Sequence, residues 1–171
     1  MKIRLFGIAN DSIVDGPGLR YTIFTQGCYH KCSGCHNPKS HDMNGGYLKD
    51  INEIIAEIDE NQLLDGITLS GGEPVLQIEP LIEICKAVKY RGLNIVIYSG
   101  FIFEQIIKDS RMKSLLEVCD MLIDGKFEQD KKSLSLLYRG STNQRLINIQ
   151  KSLKYEKVIE YETNEYNEII I

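Results

Sequence analysis

The sequence contains no run approaching the ~20 consecutive apolar residues that a membrane span requires. Its first stretch, Met1-Lys-Ile-Arg-Leu-Phe-Gly-Ile-Ala-Asn-Asp11, holds too short an apolar segment for a signal peptide. Basic charge is not in excess: 20 Lys and Arg stand against 24 Asp and Glu, a formal net charge of -4, which removes the electrostatic footprint of a nucleic-acid-binding chain. There is no internal repeat and no low-complexity tract. These absences predict a cytoplasmic protein with neither a membrane nor a nucleic acid as partner. In a reducing compartment five cysteines, an odd number, remain thiols, so no disulfide framework is expected. The 171 residues, 43% of them hydrophobic, suffice for one domain with a real core. Residues 154–171 form a tail for which an edge strand, a mobile end and a docking element all remain open.

One further absence carries chemistry. Cys28, Cys32 and Cys35 fall within eight residues, in Gly27-Cys28-Tyr29-His30-Lys31-Cys32-Ser33-Gly34-Cys35-His36-Asn37-Pro38, yet no fourth cysteine accompanies them. A closed iron–sulfur cluster usually takes four thiolates, and structural zinc also takes four ligands. Zinc held by the three cysteines with His30 or His36 is one reading. Against it, adjacent Cys35 and His36 close awkwardly on one ion, and no second CxxC follows. A dithiol redox pair at Cys32-Ser-Gly-Cys35 is another, although such a pair would open a helix directly after a strand without a third cysteine upstream. The spacing fits an iron–sulfur cluster with one metal position left for chemistry, and leaves the other two readings open. Cys85 and Cys119 lie in apolar runs and read as packing residues.

The rest of the chain alternates strand-like with helix-like segments. Leu19-Arg-Tyr-Thr-Ile-Phe-Thr-Gln26 is β-branched and aromatic and would deliver Cys28 at its C-terminal end. Asp50 and Glu53 resemble a capping box before apolar residues at helical spacing, predicting a helix over 50–61. Strands are expected at 66–70, 93–98 and 121–124, and helices at 78–90 and 104–118. Strands separated by helices of this size argue for βαβ units in a mostly parallel sheet. In such α/β folds ligands bind at the C-terminal strand ends. There the cysteine run, Gly71-Gly72-Glu73-Pro74, Ser99-Gly100 and Gly125-Lys126 would share one rim. The chain is too short for a closed eightfold barrel of ~250 residues, so an open partial barrel is expected.

Cys28-x3-Cys32-x2-Cys35 followed by Gly71-Gly72-Glu73-Pro74 resembles the radical SAM superfamily. Asp15-Gly-Pro-Gly-Leu-Arg20 leading into Phe24-Thr-Gln-Gly-Cys28 is similar to the subset that activates glycyl-radical enzymes. Asp124-Gly-Lys-Phe-Glu-Gln-Asp130 and Tyr138-Arg-Gly-Ser-Thr-Asn-Gln-Arg145 resemble the activating proteins of anaerobic (class III) ribonucleoside-triphosphate reductases. The likeness covers residues 15–145. It implies a radical SAM oxidoreductase with the corresponding partial (βα) barrel, one 4Fe-4S cluster on Cys28, Cys32 and Cys35, and S-adenosylmethionine on the fourth iron. It further implies reductive cleavage of that cofactor to methionine and a 5'-deoxyadenosyl radical, which takes a hydrogen from a glycine of the partner reductase. A reducing electron donor such as flavodoxin or ferredoxin would be needed.

On the same resemblance, Gly34, Cys35 and His36 are expected near the adenine and the cluster. Gly71, Gly72 and Glu73 are expected near the methionine moiety, where glycines permit close backbone approach; an ordinary strand-to-helix turn is the plain alternative. Many radical SAM proteins carry an aromatic residue where this chain has Gly34, so Tyr29 or His36 would have to supply that surface. Ser99 and Lys126 could reach the cofactor, or be a turn serine and a solvated lysine. Arg139-Gly-Ser-Thr-Asn-Gln-Arg145 would suit recognition of an extended partner peptide. The alternatives are an activase for another glycyl-radical enzyme such as pyruvate formate-lyase, and a non-enzymatic zinc-binding adaptor.

Overall fold

The computed structural model describes residues 1–164 and 168–170. Seven strands form one mixed sheet in the order β3-β1-β2-β4-β5-β6-β7. The strands are β1 (Lys2–Ser12), β2 (Arg20–Thr25), β3 (Tyr47–Asp50), β4 (Gly66–Gly71), β5 (Asn94–Ser99), β6 (Met121–Asp124) and β7 (Arg145–Asn148). The central four, β2, β4, β5 and β6, run parallel. The flanking pairs β1 with β2, β1 with β3, and β6 with β7 are antiparallel. The expected α/β class is therefore met by a sheet that is parallel only at its centre. The sheet order ends at β3 and β7, with no closed barrel among the described residues.

Helices α1 (Ile51–Glu60), α2 (Ile78–Tyr90), α3 (Phe103–Ile106), α4 (Ser110–Glu117) and α5 (Ile149–Tyr155) complete the fold. Asp50 caps α1 by accepting from the Asn52 N–H at 2.9 Å. The helix expected over 104–118 is two: the chain breaks after α3, and Asp109 caps α4 by accepting from the N–H groups of Arg111 and Met112.

Strand alternation separates two faces. Ile23, Ile67, Leu69, Ile95, Ile97 and Leu122 join Ile54, Leu81, Ile84 and Leu115 of the helices in the main core. Each such side chain contributes about 1.5–3 kcal/mol of burial. The opposite face carries Thr22, Thr68, Ser70 and Tyr98, with a smaller cluster of Val96, Met121, Ile123 and Leu146. Among the described residues no helix contributes to that second cluster, and the two cavities lined by Ser70 and Tyr98 lie on this face.

Arg20 is fully buried and donates to Thr68 Oγ1 at 3.2 Å and to the Pro17 carbonyl at 3.1 Å, as well as to Asn94 and the Ile67 carbonyl. Burial lowers its pKa to about 10, which still leaves it charged at neutral pH. It sews the Asp15-Gly-Pro-Gly loop to the starts of β4 and β5. Beyond α5 the chain forms a short antiparallel pair, β8 (Glu162–Thr163) with β9 (Ile169–Ile170), and Tyr161 and Ile169 pack on the smaller cluster. Of the tail expected over 154–171, residues 165–167 and 171 lie outside the described residues.

Candidate functional site

Each parallel strand ends at a turn that faces the same space. A cavity of about 160 Å³ is lined by Cys28, Cys32, Cys35, Gly71, Gly72, Ser99, Gly100, Gly125 and Lys126, which come from the exits of β2, β4, β5 and β6. The four segments expected on one rim thus meet. A larger cavity of about 890 Å³ adjoins it through shared walls, including His36, Ser70, Tyr98, Phe127 and Gln144.

The cysteine loop leaves β2 through Gly27, whose φ of +101° is a conformation that L side chains rarely adopt. The Gly27 N–H donates to the Ser40 carbonyl at 2.8 Å, and the Gly72 and Glu73 N–H groups donate to the Thr25 and Gly27 carbonyls at 2.7 and 2.8 Å. A Cβ on Gly71 or Gly72 would run into the backbone of Phe24 and Thr25 or of Gly27. The two glycines therefore let the β4 turn lie directly on the base of the cysteine loop. Pro74 follows in a single 3-10 turn, Pro74–Leu76, before α2.

Glu73 is buried, 1% exposed, and ties three strand ends together. Its carboxylate lies 2.7 Å from His30 Nε2 and accepts from Ser99 Oγ at 2.9 Å and from the Gly100 N–H at 2.8 Å. His30 also packs edge-on against Phe101, with ring centroids 4.6 Å apart. Ser99 is therefore occupied with Glu73, and His30 with Glu73 and Phe101. Tyr29 is 68% exposed. His36 lies against Phe127, with centroids 5.0 Å apart.

All five cysteines are free thiols. In the loop, Cys35 Sγ accepts from the Asn37 N–H at 3.4 Å. Burial pushes the Cys28 and Cys32 thiols up, partly offset by the nearby backbone of His30 and Lys31 for Cys28 and of Phe127 for Cys32. Hydrogen bonds of this kind stabilise thiolate sulfur and tune iron–sulfur potentials. Among the described residues no three His, Cys, Asp or Glu side chains are placed to share a single metal ion. The three thiols line one cavity without converging on a single point. Cys85 and Cys119 are fully buried in the main core, away from this loop.

The segment after β6 closes over the loop. The side chains of Phe127 and Gln129 fill the space beside Gly34, where any Cβ would collide with Gln129. Gln144 donates to the Gly125 carbonyl at 2.9 Å and accepts from the Gly140 N–H at 2.8 Å, so the 139–145 segment is folded onto the β6 exit. Arg145 is the register partner of Asp124. Its guanidinium bonds Asp124 Oδ1 at 3.0 Å and Glu104 Oε2 at 2.8 Å. The sequence motif Asp124-Gly-Lys-Phe-Glu-Gln-Asp130 assigns no task to Phe127 or Gln129, and the cysteine run offers His30 only as a zinc ligand; the contacts that define all three come from distant segments.

Residues 14–147 match the model of the 4Fe-4S single cluster domain family. The chain is 36% identical over 140 residues to the anaerobic ribonucleoside-triphosphate reductase-activating protein of Haemophilus influenzae, covering 77% of this chain and 89% of that one. The Escherichia coli K12 protein of the same name is 32% identical over 140 residues, 77% of this chain and 90% of its own. That of bacteriophage T4 is 34% identical, with 78% and 86% covered.

Proposed function

The chain belongs to the family of anaerobic ribonucleoside-triphosphate reductase-activating proteins, and on that premise we propose that it generates a glycyl radical on such a reductase by reductive cleavage of S-adenosylmethionine. The observation that carries this reading is the cavity in which the thiols of Cys28, Cys32 and Cys35 face the Gly71-Gly72 turn. Cys28, Cys32 and Cys35 would hold the 4Fe-4S cluster. Bound there, the cluster would supply the low-potential electron for reductive cleavage, and three cysteines to four irons would leave one iron open to the cofactor.

The protein's own residues then serve position and exclusion. Glu73 fixes the cysteine loop through His30 and the β5 exit through Ser99 and Gly100. Gly71 and Gly72 keep the β4 turn low enough to leave room above it. Gly34, Cys35 and His36 would border the adenosyl moiety. The 139–145 segment borders the larger cavity, where an extended glycine loop of the reductase would have its backbone read by backbone. Closure by that partner would exclude water and dioxygen from a primary carbon radical. We take the open sheet to be the partial barrel of the radical SAM type, working in the cytoplasm with a reducing donor such as flavodoxin or ferredoxin.

The reading is tested by reconstituting the protein anaerobically, reducing it with dithionite in the presence of S-adenosylmethionine, and quantifying methionine and 5'-deoxyadenosine. Equal amounts of both are expected, and neither from Cys32→Ala. Cleavage retained in that variant, or a colourless protein with one zinc per chain, would overturn it.

A further inference from the structure

We infer that Phe127, backed by His36, is the stacking surface for the adenine base of S-adenosylmethionine. The inference rests on the function proposed above and names a residue for it. Phe127 lines both the cysteine cavity and the larger one, so its ring stands at the seam between them. It is half-buried and belongs to neither hydrophobic core, so core packing does not account for it. Two glycines wall the ring. A Cβ on Gly34 would come 3.3 Å from Phe127 Cε1, and one on Gly140 would come 3.0 Å from Phe127 Cδ2 and 3.4 Å from His36 Cε1. Bare backbone at both positions leaves room for the two rings.

Among the other aromatic side chains, Phe24 and Tyr138 line only the larger cavity and not the one that holds the cysteines. Tyr29 lines neither cavity. The Tyr98 hydroxyl donates to the Tyr138 carbonyl at 2.8 Å, and its ring packs on the smaller core. An apolar ring on the wall of the cysteine cavity, beside a second cavity large enough for a nucleoside, offers a π-face and little else. A purine base answers that chemistry: base–aromatic stacking is worth ~1–3 kcal/mol per base. The sulfonium end would then point toward the cysteines.

The test is anaerobic equilibrium dialysis of the cluster-loaded protein with S-adenosylmethionine and with 5'-methylthioadenosine. Phe127→Leu should weaken both by about tenfold. Phe127→Trp, although bulkier and the poorer fit for packing, should stay within about threefold of the parent protein. A purely structural role predicts the reverse order. The chain has no tryptophan, so Phe127→Trp is also a unique fluorophore, and saturable quenching by 5'-methylthioadenosine is expected. Parental affinity in Phe127→Leu, or no quenching in Phe127→Trp, overturns the inference. Failure of the unsubstituted protein to bind S-adenosylmethionine would instead overturn the proposed function.

Discussion

His30 Nε2 and Glu73 Oε2 lie 2.7 Å apart across 43 residues of sequence, joining the cysteine loop to the turn after the next parallel strand. Glu73→Ala would leave His30, Ser99 and the Gly100 N–H without their acceptor in a buried setting. At ~1–3 kcal/mol for each unsatisfied buried partner, tempered by relaxation, a loss of about 2–4 kcal/mol is expected. Urea denaturation would measure it, and iron retention should fall in parallel.

Gly100 packs against the same histidine: a Cβ there would collide with the His30 ring. Gly100→Ala should displace His30 from Glu73 and Phe101 and cost about 1–3 kcal/mol, the range for overpacking. Gly92→Ala serves as the contrast. Its Cβ would meet nothing, so only the strain of φ +76° remains, about 1–2 kcal/mol, with no change in iron content. Equal iron loss in the two variants would contradict the account.

These contacts show where sequence reasoning succeeds and stops. The parallel strands were legible because Gly66-Ile-Thr-Leu-Ser70 and Met121-Leu-Ile-Asp124 are short apolar runs closed by glycine, and the rim followed from topology. Strands β1 and β3 were not. β1 carries register shifts between Leu5 and Gly7 and between Ala9 and Ser12, which break its alternation. In β3, Tyr47 and Leu48 are exposed, so that strand exists only through pairing with β1. β7 follows a segment that reads as loop and is fixed by its pairing with β6 and by the Arg145 to Asp124 contact. The three cysteines announced themselves by spacing. His30, Phe127 and Gln129 did not, because each acquires its task from a segment about 40 or more residues away in one case and about 90 in the others.

Arg145 neutralises the fully buried Asp124. Because the guanidinium itself is partly exposed, Arg145→Ala should cost about 2–3 kcal/mol, less than the ~3–5 of a fully buried pair. Adding Asp124→Asn should recover part of that loss. A double variant no more stable than the single one would show that the charge is not what destabilises it.

The Glu104 carboxylate is held below its usual range by its bond to Arg145. Its folded pKa lies under the unfolded value of about 4.3, so its contribution is fully present above that pH and is lost as pH falls through the folded value. Glu104→Gln should therefore be less stable than the parent at neutral pH, and the gap should narrow at a pH under that unfolded value. Urea midpoints at the two pH values check this, and a constant gap between the two proteins would refute it.

The central claim is tested most directly by mixing the reduced, cluster-loaded protein with S-adenosylmethionine and an anaerobic ribonucleotide reductase, and recording the electron paramagnetic resonance spectrum. The account predicts a glycyl-radical doublet that requires S-adenosylmethionine and vanishes with Cys28→Ala, Cys32→Ala or Cys35→Ala. No doublet on that reductase, with one on a different glycyl-radical enzyme under the same conditions, would contradict it.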